Sequence, residues 1–77
     1  MEKRVKAIII TILKESGNYK EDIAIEPTSH LRDDLGMDSF NLAELTVHIE
    51  EEFEIDIFED GIVNTVAEIY AKLNQEQ

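Results

Sequence analysis

Leu35-Gly36-Met37-Asp38-Ser39-Phe40 is the stretch from which the rest of the chain is best read. Asp38 is a good helix N-cap, because its carboxylate accepts hydrogen bonds from the free amides of a first turn. Ser39 then falls at the first helical position, with its hydroxyl pointing outward. The helix it opens carries Glu44, Glu50, Glu51 and Glu52. An exposed hydroxyl beside the positive end of a helix suits a phosphate ester. A serine at a helix start is also commonly a simple capping residue, and local sequence alone leaves both readings open.

Leu42, Leu45, Ile49 and Phe53 recur at i, i+3, i+7 and i+11 and predict a buried stripe on a helix running from Asp38 to about Phe53, with Thr46 on its border. Phe40, Ala43, Glu44, Val47, Glu50 and Glu51 fall on another side and mix apolar with acidic character. Such a mixture fits a docking surface, with apolar area for affinity and charge for orientation. It fits equally the solvated edge of a wide core face, and periodicity does not separate the two.

Towards the N-terminus, Val5, Ile8, Ile9, Ile12 and Leu13 form one apolar stripe and predict a helix over residues 2–16. Gly17-Asn18 supplies its left-handed stop. Residues 17–37 make a long connection with Pro27 in its middle, and Ile23, Ile25, Leu31 and Leu35 serve as anchors across the bundle. His30 reads as a polar loop residue, since no second ligand stands at a metal-like spacing. Towards the C-terminus, residues 54–64 alternate acidic and apolar side chains. A lone strand has no partner, so the expectation is an extended link with one irregular helical turn. Thr65 and Glu68 match a capping box, and Val66, Ile69, Tyr70 and Leu73 give the last helix its buried face. The expected fold is all-α: a small bundle of three main helices plus one short helical turn, in one domain spanning residues 1–77.

The 77 residues have a formal charge of −11. Residues 1–20 hold five basic and two acidic side chains, net +3; residues 21–77 hold two basic and sixteen acidic, net −14. That field repels phosphate backbones, which argues against nucleic-acid binding, and attracts basic partner surfaces. A charge run is also often no more than a solvated face. There is no cysteine, so neither a disulfide nor a protein thiol is available. The basic opening followed by Ala7-Ile8-Ile9-Ile10 has a superficial signal-peptide look, but Thr11, Lys14 and Glu15 interrupt it. No segment approaches the roughly 20 apolar residues of a membrane span. The expectation is a soluble cytoplasmic monomer with no membrane insertion.

Catalytic chemistry finds no support in the residues. The G-x-S-x-G elbow is absent, and His48 lies too many turns along the helix to reach Ser39. The acid-rich run from Glu50 to Asp60 lacks the spacing of an EF-hand loop, so no specific metal site is expected.

Taken together, Leu35-Gly36-Met37-Asp38-Ser39-Phe40, Ala43-Glu44-Leu45 and Glu50-Glu51-Glu52-Phe53 resemble the acyl carrier proteins. So does the frame of a basic-leaning first helix, a long loop, Asp-Ser opening an acidic helix, and a closing Thr-Val helix. The resemblance covers most of residues 3–73. It implies that Ser39 carries 4′-phosphopantetheine, transferred from coenzyme A by a phosphopantetheinyl transferase, whose thiol holds acyl groups as thioesters. It implies a carrier and not an enzyme, serving acyl-loading and acyl-processing enzymes of fatty-acid, polyketide or related lipid biosynthesis. Their basic docking surfaces would meet Asp38, Glu44, Glu50 and Glu51, with apolar contact at Phe40, Ala43 and Val47. Phe40 stands where the family usually has leucine, Phe58 where proline is common, and His48 where an apolar or small residue is usual. These departures favour a specialised member as much as a housekeeping one. An aminoacyl (D-alanyl or peptidyl) carrier and an unmodified acidic adaptor are the alternative readings.

Overall fold

The computed structural model describes residues 2–58, 61 and 63–75. Three helices follow in order: α1 over Glu2–Ser16, α2 over Ser39–Phe53 and α3 over Val66–Gln75. The α1 stripe is buried as the spacing predicts, with Val5, Ile9, Ile12 and Leu13 fully inside and Ile8 nearly so. It packs chiefly on α2, whose Leu42, Leu45 and Ile49 face it, while Val66, Ile69, Tyr70 and Leu73 of α3 complete the core. Each such aliphatic side chain withdrawn from water contributes about 1.5–3 kcal/mol before the entropy cost of ordering it.

Gly17 ends α1 at φ +81°. The Asn18 amide donates to the Leu13 carbonyl at 2.9 Å, and the Gly17 amide to Lys14 at 3.3 Å, closing the last turn in a Schellman arrangement. Across the bundle, Arg4 Nε meets Glu52 Oε1 at 2.7 Å, tying α1 to α2. Both side chains are exposed, so water screens the pair and it contributes little.

The long connection is pinned by its aliphatics. Leu31 and Leu35 are buried, as is Met37, and Ile23 and Ile25 pack partly against the core. Its backbone also does a task that periodicity could not reveal. The Pro27 carbonyl accepts the Ala67 amide at 2.8 Å and the Ser29 carbonyl accepts the Val66 amide at 3.1 Å. Two of the free amides at the start of α3 are thus satisfied by the loop between α1 and α2. Ser29, itself buried, donates from Oγ to the Ala24 carbonyl and accepts from the Glu26 amide, which fixes the loop's path. His30 pairs with Thr65 in an isolated antiparallel bridge, its side chain exposed as expected of a polar loop residue.

One expectation changes in detail, at the start of α3. Thr65 caps α3, its Oγ1 accepting from the Glu68 amide at 3.3 Å, but Glu68 reaches back to the amide of Asn64 and not of Thr65. The link after α2 contains a turn at residues 57–58, with Asp56 Oδ1 accepting from the Phe58 amide, and shows no helix among the described residues. Residues 59, 60 and 62 of the expected helical turn lie outside the described ones. Ile57 and Val63 are buried, so this link packs down as a side wall of the core.

Candidate functional site

The start of α2 is built by its own first turn. Asp38, in extended conformation at φ −96°, accepts from the Asn41 amide, and Asn41 Oδ1 accepts from the Asp38 amide. This is a capping box in which Asn41 takes the place usually held by Glu or Gln. Sequence reading identified Asp38 but passed over Asn41, which is buried at 2% exposure. The signal was available in the spacing, since a short polar side chain three residues after an N-cap can close the box.

Ser39 follows as the first residue of α2, exposed to solvent. Arg32 Nη2 donates to Ser39 Oγ at 3.0 Å. Arg32 rides on a tight turn whose ends are held firmly. His30 donates its amide to Asp34 Oδ2 at 2.7 Å, and the Gly36 and Met37 amides donate to the Arg32 and Leu31 carbonyls. Gly36 has φ +72°, a left-handed conformation that reverses the chain just before Asp38.

Ser39 also stands at the lip of a groove of about 430 Å³. Leu31, Leu42, Ala43, Phe58 and Val63 give it an apolar lining, while His30, Arg32, Asp33, Thr46 and Asn64 contribute to its walls. The groove exists because the long loop and the link after α2 flank the same side of that helix. A volume of this size suits a small organic chain.

On the outer side of α2, Phe40 is 71% exposed and Val47 is 54% exposed. Ala43, Glu50 and Glu51 are exposed with them. Glu44 is half-buried, and its Oε1 accepts from Asn41 Nδ2 at 3.5 Å, so it braces the first turn as well as facing outward. Val47, Glu50, Glu51 and Glu54 border a shallow hollow at the far end. The helix therefore brings Asp38, Phe40, Ala43, Glu44, Val47, Glu50 and Glu51 onto accessible surface contiguous with Ser39. His48 is half-buried. No group of three or more His, Asp or Glu side chains among the described residues is arranged to hold a metal ion. No described helix is long and apolar enough to cross a membrane.

Residues 3–73 match a family model described as a phosphopantetheine attachment site. The chain is also 41% identical over 68 residues to an acyl carrier protein of Buchnera aphidicola subsp. Schizaphis graminum (strain Sg), a match covering 86% of this chain and 80% of that relative.

Proposed function

The chain belongs to the acyl carrier protein family, which bears covalent 4′-phosphopantetheine and carries without catalysing, and on that footing we propose that Ser39 is the attachment point. The observation that supports this reading most strongly is the position of Ser39: an exposed hydroxyl on a rigidly capped first turn, at the lip of an apolar groove.

The residues around Ser39 fit the group. Its hydroxyl is accessible to a transferase, a cation stands at 3.0 Å, and the groove can shelter an apolar chain. Ser39 Oγ would form the new bond to phosphorus of coenzyme A. The hydroxyl proton passes to a base of the transferase, and adenosine 3′,5′-bisphosphate leaves with the electrons of the broken P–O bond. Once bound, the group supplies a thiol on a flexible arm, to which an acyl chain is joined as a thioester. The chain itself lacks cysteine and so presents no competing thiol. Its contribution is a fixed root for the arm and a surface that partners bind. Tethering raises the effective concentration of cargo at each partner without new contacts.

Partners in this reading are the phosphopantetheinyl transferase and acyl-loading and acyl-processing enzymes of fatty-acid, polyketide or related lipid biosynthesis. Asp38, Glu44, Glu50 and Glu51 orient their basic surfaces, and Phe40, Ala43 and Val47 supply the apolar contact. The relative's description as an acyl carrier protein supports acyl rather than aminoacyl cargo. Mutual repulsion between copies at a net charge of −11 supports a monomer, and the lack of cysteine fits action in a reducing cytoplasm.

The test is direct. Incubation with coenzyme A, magnesium and a broad-specificity phosphopantetheinyl transferase should add the mass of one arm, and Ser39→Ala should abolish the addition. Unchanged mass under conditions that modify a control carrier would overturn the proposal.

A further inference from the structure

Between residues 21 and 77 the chain has two basic side chains other than histidine, Arg32 and Lys72. Lys72 lies in the last turn of α3. Arg32 sits on the turn before α2, with its guanidinium on the Ser39 hydroxyl. Sixteen acids share this part of the sequence, so a lone cation at that hydroxyl calls for a physical reason.

Resting on the reading of Ser39 as the attachment point, we infer that Arg32 is a phosphate-binding residue. Its guanidinium pairs with the two non-bridging oxygens of the phosphodiester formed on Ser39 and so orients the root of the arm. Modification converts a neutral hydroxyl into a monoanionic diester on the very oxygen that Arg32 touches. The free oxygens of that diester lie two bonds beyond Ser39 Oγ, across the phosphorus, within reach of the same planar fork. Arg offers five N–H donors in a geometry that matches phosphate, and its pairs with phosphate are among the stronger hydrogen bonds. A new negative charge beside Asp33, Asp38 and Glu44 is otherwise repelled, and Arg32 offsets that repulsion.

The backbone supports the role. The Leu31 amide donates to the Asn64 carbonyl at 2.8 Å, and Leu31 and Leu35 are buried, so the turn carrying Arg32 is anchored on both sides. Arg32 also belongs to the groove wall. Pairing with it draws the first atoms of the arm toward the groove and away from the outer face of α2.

The experiment compares wild type, Arg32→Lys and Arg32→Gln after modification with coenzyme A. Intact mass confirms the added arm in each. Phosphorus NMR of the diester and the ¹H–¹⁵N signal of the Arg32 Nε–H are then recorded, with Arg4 as an internal control. Modification should shift the Arg32 signal and leave Arg4 in place. Arg32→Gln should move the phosphorus resonance, and Arg32→Lys, which keeps the charge without the fork, should move it less. The difference should shrink as salt rises. The side chain is exposed, so before modification the unfolding midpoints of the three proteins should lie close together. Coincident phosphorus signals in all three modified proteins, with an unshifted Arg32 signal, would overturn the inference while the attachment reading stands. A wild type that gains no mass overturns both.

Discussion

Asp38 and Asn41 exchange hydrogen bonds across the opening turn of α2, at 2.8 Å from the Asn41 amide and 3.2 Å from the Asp38 amide. Asn41 then extends its Nδ2 to Glu44 Oε1. One buried amide side chain thereby couples the residue before Ser39 to an acid on the outer face. The site is held rigid by local bonds that involve neither Ser39 itself nor the groove.

Asn41→Ala should therefore loosen the site as well as the fold. It leaves the Asp38 amide without its partner in a partly buried place, a loss of about 1–3 kcal/mol. Urea unfolding should show a lower midpoint with an unchanged slope, and amide exchange should quicken at Asp38. Stability equal to wild type would show that the reciprocal bond contributes nothing.

Glu54 ends α2 at φ +59°, left-handed backbone that a side chain adopts at a cost of about 1–2 kcal/mol. It is also an acid at the negative end of the helix dipole, close to Glu50, Glu51 and Glu52. Glu54→Gly relieves both effects, against a gain in unfolded-chain entropy of up to about 1 kcal/mol. A higher melting temperature is expected, and a lower one would show that the entropy term wins.

Tyr70 is buried, and its hydroxyl has no hydrogen-bond partner among the described residues. Burial, and secondarily the charge of Glu2, raise its pKa above the ordinary tyrosine value of about 10. The folded state thus holds this proton more tightly than the unfolded chain. The associated stability is fully present below pH 10 and is lost as pH rises through the folded value. Tyr70→Phe removes both the unpaired hydroxyl and this dependence. It should stabilise the protein by up to about 1–3 kcal/mol at neutral pH. It should also flatten the decline between wild-type stabilities measured at pH 9 and pH 11.

Docking by the outer face predicts a salt-sensitive association. Glu51→Lys should lower kcat/KM for modification several-fold at low ionic strength, with the gap closing as salt is added. Phe40→Ala alters an exposed side chain and should leave stability within about 0.5 kcal/mol while changing kcat/KM between transferases unequally. Equal rates for wild type and both variants at every salt concentration would remove α2 from the recognition surface.

The helix boundaries were legible because their determinants are local. Apolar spacing set which face of each helix is buried, Gly17 stopped α1, Asp38 opened α2 and Thr65 opened α3, all through groups a few residues apart. The period put Phe40 and Val47 off the buried stripe of α2, but only the structure showed them exposed and not at the edge of a wider core face. Phe58 and Val63 are different: nothing in their alternating stretch revealed whether they belong to a helical turn, a strand or a wall of the groove.

What the tertiary structure alone decided are the contacts between segments distant in sequence. The carbonyls of Pro27 and Ser29 satisfy the first amides of α3, some forty residues away. Leu31 and Leu42 meet Phe58 and Val63 to form the groove beside Ser39. Arg32 reaches that serine through a reversal at Gly36. Periodicity reports which side of an element is buried, but it holds no information about which other element covers it. The sequence by itself could therefore place Ser39 at an exposed helix start and, through the family resemblance, propose it as the attachment point. Its cation and its groove exist only because a long loop folds back over the start of two helices.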